Sequence, residues 1–296
     1  MTELTIKAND ANQKLFSFIK KVFRDTKLSI IYKWFRVGKI KINGKKTKDR
    51  DYVLQLNDIV QVYDASSNVK KREWQKIDYS TLDIVYEDQN ILIADKDFNV
   101  EIHSDFNDCL DNMVRSYLFD KGEFKQEENS FIVSHIHRLD KLTSGLVMYA
   151  KNKPALDFFL ANITDKNKIR KTYIAKFEGR LDYLGIVSGW IDYNGETQIA
   201  TFSEDEFRMS KKAELNIVAI EDDYATIELI TGRKHQIRAT MEYMGCPIVN
   251  DFRYGAHSRS REKYIALNAY ILEFADFEGD FAYLNGKAIY SKKISF

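Results

Sequence analysis

The chain has little cysteine, little net charge and no long apolar run. Cys109 and Cys246 are its only 2 cysteines in 296 residues, far apart and without a Cys-x-x-Cys spacing. That argues against a disulfide framework or a thiolate zinc site and leaves plain packing as their role. No stretch of about 18 uninterrupted apolar residues occurs, so no membrane-spanning helix is expected. The N-terminus, MTELTIKAND, lacks the basic-then-apolar order of a signal peptide, and a cytoplasmic location is the expectation. Also missing are a Walker loop, a dinucleotide-binding glycine fingerprint, internal repeats and low-complexity tracts. What is present is 44% hydrophobic content with 13% aromatics, enough for one large domain and a small one.

The net charge of +1 hides a division along the chain. Residues 1–72 hold 17 Lys+Arg against 7 Asp+Glu, a net of +10, whereas the remainder holds 28 against 37, a net of −9. A compact basic segment is the footprint of phosphate binding through counterion release, although a solvated basic surface would have the same composition. Asp10 and Gln13 resemble a capping pair ahead of Leu15, Phe16, Phe18, Ile19, Val22 and Phe23, whose spacing predicts a short helix. Ser29 is placed to cap a second helix, with Ile30, Ile31, Trp34 and Phe35 on its apolar side and Gly38 as its stop. Ile40 and Ile42 then alternate with lysines into the hairpin signal Asn43-Gly44, and 59–63 predicts a closing strand after Asn57-Asp58. Residues 34–63, WFRVGKIKINGKKTKDRDYVLQLNDIVQVY, resemble the small RNA-binding module of the S-four type, with Asn57-Asp58 where that family usually has Gly-Asp. The resemblance implies a small α/β module over residues 1–65 that binds structured RNA, with Lys33, Arg36, Lys39, Lys41 and Lys45 as its contacts.

Residues 66–80 are polar, carry Lys70, Lys71 and Arg72 in a row, and are read as a linker to a larger domain over 81–296. Predicted strands in that domain are 82–86, 91–94, 171–177, 186–191, 214–220 and 225–230, and predicted helices are 109–119, 154–163 and 235–244. Strands dominate without a regular βαβ rhythm, so the expected fold class is α+β with a mainly antiparallel or mixed sheet.

Residues 135–152, HIHRLDKLTSGLVMYAKN, put Arg138, Asp140 and Lys141 where the apolar pattern breaks, then pass a Thr143-Ser144-Gly145 turn into an apolar run. Charges wedged between sheet-like runs are costly unless paired or used. If the strand phase runs through this segment, Ile136, Arg138 and Asp140 share a face opposite His135, His137 and Leu139. Asp140 is then a paired or turn-capping carboxylate, or a reactive one, and these residues alone weigh the two equally. His135 and His137 lack a third ligand at workable spacing, so no metal is expected. LITGRKHQIR (229–238) sets Arg233, Lys234, His235 and Arg238 at a helix start, either as a phosphate-contacting surface or as partners that hold a carboxylate ionised. RKTYIA (170–175) presents Tyr173, an ordinary strand tyrosine or a platform for a nucleobase.

Taken together, HRLDKLTSGLVMYAK (137–151), RKTYIAKFEG (170–179) and LITGRKHQIRATMEYMGCPIVNDFRYG (229–255) resemble the three consecutive signatures of RluA-type pseudouridine synthases, in family order, over about residues 82–272. The resemblance implies the pseudouridine synthase fold, with Asp140 as nucleophile, Tyr173 packing on the target base and Arg238 pairing with the aspartate. It further implies that Arg138 fills the gap left by the extracted base, while Arg233, Lys234 and His235, read from their clustering at the helix start, are expected to contact RNA. One segment departs: where the family usually has Lys-Pro-x-Gly-x-x-x-His-Pro, residues 96–104 read KDFNVEIHS, which predicts a differently shaped loop. The implied reaction breaks the bond from ribose to the base nitrogen, turns the uracil and rejoins the sugar to carbon 5, with no cofactor. Attack on the sugar, addition to the base and removal of a ribose proton are equally compatible with the sequence. Two rivals stand beside this reading. A non-catalytic RNA-binding or ribosome-assembly factor would need only the basic module. A glycoside hydrolase would need a second acid about 5–10 Å from the first, and these motifs contain none. An RNA-binding module ahead of the catalytic domain in a chain of this size resembles the family members that act on large-subunit ribosomal RNA more than the minimal tRNA-directed ones. Ribosomal RNA is therefore the expected substrate, with tRNA as the alternative and a monomer as the default.

Overall fold

The basic N-terminal segment builds a small sheet with two helices packed on it. Its elements are β1 (Thr2–Thr5), α1 (Leu15–Val22), α2 (Leu28–Arg36), β2 (Ile40–Ile42), β3 (Lys45–Thr47) and β4 (Ile59–Val62), with sheet order β1-β4-β2-β3. Leu15, Phe18 and Ile19 of α1 and Ile31, Trp34 and Phe35 of α2 close over Ile40, Val60 and Val62, all buried. Each such side chain contributes about 1.5–3 kcal/mol by leaving water. Asn43 and Gly44 take φ of +50° and +79°, the two left-handed positions of the tight hairpin turn that joins β2 to β3. Neither predicted helix cap forms. The first amides of α1, those of Leu15 and Phe16, donate instead to the carbonyls of Tyr52 and Arg50, while Gln13 Nε2 turns back to the Asp10 carbonyl. In α2 the N-cap is Lys27, so Ser29 falls inside the first turn.

The computed structural model describes residues 1–64, 75–104, 108–124, 131–257 and 264–294. Most of the predicted linker, including Lys70, Lys71 and Arg72, lies outside the described residues. Its last part is not free chain: Lys76 Nζ and Tyr79 Oη both hold Asp120, and the Ile77 amide donates to Ser116 Oγ, each at 3.0 Å or less.

From residue 84 onward the chain builds one 11-stranded mixed sheet. The elements in order are β5 (Ile84–Glu87), β6 (Ile91–Lys96), α3 (Leu110–Asp120), β7 (Ser134–His135), β8 (Ser144–Ala150), α4 (Lys153–Asn162), β9 (Ile169–Lys176), β10 (Gly185–Asn194), β11 (Ile199–Ser203), β12 (Lys211–Glu221), β13 (Tyr224–Leu229), α5 (Gln236–Tyr243), β14 (Leu267–Phe274) and β15 (Ala288–Tyr290). Every residue of β6 and β8 is buried because both faces are covered. Leu92, Val147 and Tyr149 face Leu110, Val114 and Leu118 of α3, whereas Ile91, Ile93 and Met148 face Phe159 of α4 and Phe281. α4 starts within a residue of the predicted 154, with Pro154 in its first turn, and its start is capped by the Asn152 side chain, which accepts from the Ala155 amide.

Spatial order is β11-β10-β12-β13-β9-β14-β8-β6-β5, with β7 on β8 and β15 on β14. β14, a strand with no counterpart among the predicted ones, lies between β9 and β8, antiparallel to the first and parallel to the second. Its Ala269 stands opposite Tyr173 on one side and Gly145 on the other. The segments that carry Tyr173 and Asp140 are thereby brought side by side.

Candidate active site

Asp140 lies in the turn that leads into β8. The β7 strand ends at His135, one further backbone bond runs from the Ile136 amide to the Met148 carbonyl at 2.7 Å, and the Thr143 amide donates to the Asp140 carbonyl at 3.1 Å, closing the turn. The strand phase predicted through this segment is therefore broken: Leu139 is buried, and Arg138 is exposed rather than projecting with Asp140. The neighbouring histidines are used structurally. His137 Nε2 accepts the Met148 amide at 3.3 Å, and His135 Nδ1 lies 2.9 Å from Asp111. Burial, then Lys171 and His135, push His137 down to about 3.

Around the carboxylate converge Arg238 and His235 from the start of α5 and Tyr173 from β9. Arg238 is 3% exposed, and its Nη1 stands 3.7 Å from Asp140 Oδ2. The expected pairing with Asp140 is thus a loose one. The guanidinium gives its directed bonds to Asp251, with Nε to Oδ2 at 2.6 Å and Nη2 to Oδ1 at 2.8 Å, and it lies 4.7 Å above the Tyr254 ring. Burial opposes its charge, yet Asp251 and, beyond it, Asp140 hold its pKa above the ordinary value. Burial pushes the Asp140 carboxyl up. Arg238, Lys234 and Lys96 pull it back, and Asp251 adds to the push. Tyr173 is 5% exposed, and its hydroxyl is raised by burial and by the charge of Asp140. The arrangement offers a carboxylate with 22% of its side chain accessible, a buried cation behind it and an aromatic ring beside it.

His235, expected among RNA contacts, is buried instead, with Nε2 3.8 Å from Asp140 Oδ2. Lys234 Nζ sits 3.9 Å over the Tyr193 ring, and Arg233 Nε is tied to the Lys212 carbonyl at 2.8 Å. In the N-terminal segment Lys33 and Arg36 line a cleft of about 350 Å³ with Ser29, Tyr32, Phe35, Lys48 and Arg50. Lys39 is bonded to Asp64 at 2.8 Å, Lys41 lies 4.6 Å over the Tyr63 ring, and Lys45 is exposed.

Sequence reasoning missed several supporting residues. Asp251 and Tyr254 lay unremarked within the third signature. Gln236 fastens the turn before α5, accepting from the Arg233 amide and the Thr231 hydroxyl and donating to the Glu214 carbonyl. Lys96, at the end of β6, is 1% exposed and directs its Nζ to the carbonyls of Asp97, Val100 and Lys141 at 2.8, 3.0 and 3.1 Å. Burial pushes this ammonium down to about 7, against the pull of Asp140 and Asp97. The atypical loop after it makes a left-handed turn. Asn99, at the position of the family's glycine, takes φ +62°, a conformation asparagine tolerates.

Comparison with known proteins identifies the family. A sequence profile of the RNA pseudouridylate synthase family matches residues 90–243. A protein from Mycoplasma capricolum named as an uncharacterized RNA pseudouridine synthase is 44% identical over 292 residues, covering 98% of this chain and 97% of its own. A ribosomal large subunit pseudouridine synthase C from Vibrio cholerae is 29% identical, covering 83% of this chain and 78% of its own. The fold resembles human RNA pseudouridylate synthase domain containing 1, with TM-score 0.53, 23% identity, and coverage of 68% of this chain and 81% of that one. The chain belongs to the RluA-type RNA pseudouridine synthases, isomerases that act on RNA.

Proposed function

We propose that Asp140 is the nucleophile that isomerises specific uridines in large-subunit ribosomal RNA, with no cofactor. The observation that carries this reading is the convergence of Asp140, Arg238 and Tyr173: a partly accessible carboxylate 3.7 Å from a guanidinium that is already fixed on another acid. A nucleophile needs free lone pairs. A bidentate bond from Arg238 would occupy them, whereas the bond to Asp251 leaves Arg238 as a nearby positive charge that favours the ionised form. In the reaction the bond from C1′ to N1 breaks, the uracil turns, C1′ bonds to C5, and the hydrogen on C5 is lost as N1 gains one. Extracting the base from its stack costs a few kcal/mol, about 1–3 kcal/mol of which stacking on Tyr173 offsets. Arg138, exposed at the mouth of this turn, is suited to enter the vacated place in the RNA.

The ribosomal assignment draws on the names of the relatives and on the basic residues 1–72, which we read as an RNA-binding module of the S-four type. Pseudouridine mapping of ribosomal RNA and tRNA from a strain lacking the gene tests it, and loss of a tRNA pseudouridine alone would overturn it. The chemistry is tested with RNA carrying 5-tritiated uridine. The wild type is expected to release tritium to water, and Asp140→Asn to bind the RNA and release none. Tritium release by that variant would remove Asp140 from the nucleophile role.

A further inference from the structure

One chain of hydrogen bonds beside Asp140 has its direction fixed by a backbone group. The Ala200 amide, on β11, donates to Tyr254 Oη at 2.8 Å. The proton of that hydroxyl has one acceptor within hydrogen-bond distance among the described residues, His235 Nδ1 at 2.8 Å. A neutral imidazole whose Nδ1 accepts carries its proton on Nε2, the nitrogen that faces Asp140 Oδ2 at 3.8 Å. Neutral is the state its surroundings impose, since burial and then Arg238, Lys234 and Arg253 push the ring down to about 3. Its orientation is fixed as well. Tyr193 and Tyr254 pack edge-on against it at 5.5 and 5.7 Å, and its backbone is held at φ +56°, a left-handed conformation rare outside glycine.

We propose that His235 is a positioning residue for the isomerisation: a neutral imidazole, oriented by Tyr254 and the Ala200 amide, that presents Nε2–H to the Asp140 carboxylate. The inference rests on the reading of Asp140 as nucleophile. A separation of 3.8 Å exceeds a hydrogen bond, so the carboxylate is not locked before RNA arrives, and a shift of about 1 Å closes the gap. His235 Nε2 and Arg238 Nη1 both face Oδ2, which leaves Oδ1 for the substrate. A donor that is neutral steers the anion without further neutralising it, a task a second cation would not perform.

The test replaces His235 with residues that fill the same space with and without a donor. In single-turnover tritium release, His235→Leu is expected to lower the rate constant about 10–100-fold, the range typical of residues that orient a reacting group. His235→Gln, whose amide N–H reaches a similar place, is expected to recover most of it, and Tyr254→Phe, which frees the ring to change tautomer, to fall between. RNA affinity, read by filter binding, is expected to stay within about twofold of wild type for all three. Equal rates for His235→Gln and His235→Leu, or a loss confined to RNA affinity, overturn the proposal. Should the Leu variant fail to fold, the rate of Tyr254→Phe decides, a wild-type value standing against the proposal. Asp140→Asn is run in parallel: tritium release there overturns the nucleophile reading itself, whereas an inactive Asp140→Asn beside a fully active His235→Leu removes only His235.

Discussion

At the residue scale, the burial that makes Asp140 useful opposes its ionisation. Its carboxyl pKa is raised above 3.8 in the folded chain, so folded and unfolded states differ in proton binding. Below the unfolded value both states hold the proton and there is no cost. As pH rises through the raised folded value, the fold has to keep a carboxylate that it disfavours, and this contribution to stability falls. Asp140→Asn is therefore expected to be more stable than wild type near neutral pH, with the advantage fading below about pH 4. Thermal unfolding of both proteins across that range measures it, and a variant less stable at neutral pH would contradict the origin given for the shift. Asp140, Tyr173 and Arg238 were legible in the sequence because each sits in a short signature. Asp251, Tyr254 and Lys96 were not, because their importance lies in what they touch: Asp251 matters through a bond to Arg238 13 residues earlier, and Lys96 through the carbonyl of Lys141 45 residues later.

At the scale of elements, the junction of β8 with β14 depends on one residue lacking a side chain. Gly145 takes φ +110°, and a Cβ there would lie 2.3 Å from the carbonyl oxygen of Ala269. Gly145→Ala therefore has to part the strands or distort the turn that carries Asp140. A loss of about 3–4 kcal/mol is expected in urea unfolding, together with loss of tritium release. Gly195→Ala, where nothing lies within 4 Å, serves as the control and is expected to stay within about 0.5 kcal/mol of wild type. The α+β class and most strands followed from periodicity. The helix caps did not, because the Leu15 and Phe16 amides find carbonyls from residues 50 and 52, a tertiary arrangement that local sequence does not encode. β14 escaped for a related reason: Leu267, Asn268 and Ala269 are all buried in succession, so the alternation that marks a one-sided strand is missing.

At the scale of the whole molecule, the charge division is the basis for reading one end of the chain as the part that captures RNA and the other as the part that does the chemistry. Lys33 and Arg36 share a cleft with Lys48 and Arg50, so their contacts with phosphates are expected to act on affinity and not on the chemical step. The double change Lys33→Glu with Arg36→Glu is expected to weaken RNA binding, to flatten its dependence on log salt concentration by about 2, and to leave the rate at saturating RNA unchanged. Titrations at several salt concentrations check this, and an unaltered slope would exclude the cleft from the RNA path. The placement of β14 also sets an order in time. Asn268 Nδ2 bonds Ser144 Oγ across 124 residues of sequence, and among the described residues no earlier strand lies between β8 and β9. A growing polypeptide thus carries the Asp140 and Tyr173 segments without the strand that joins them, and closure over so long a separation is slow. Until residues near 268 leave the ribosome, the two sheet halves present open edges to other chains and the catalytic pocket does not exist. Activity is therefore expected to appear only after residues near 268 have emerged from the ribosome.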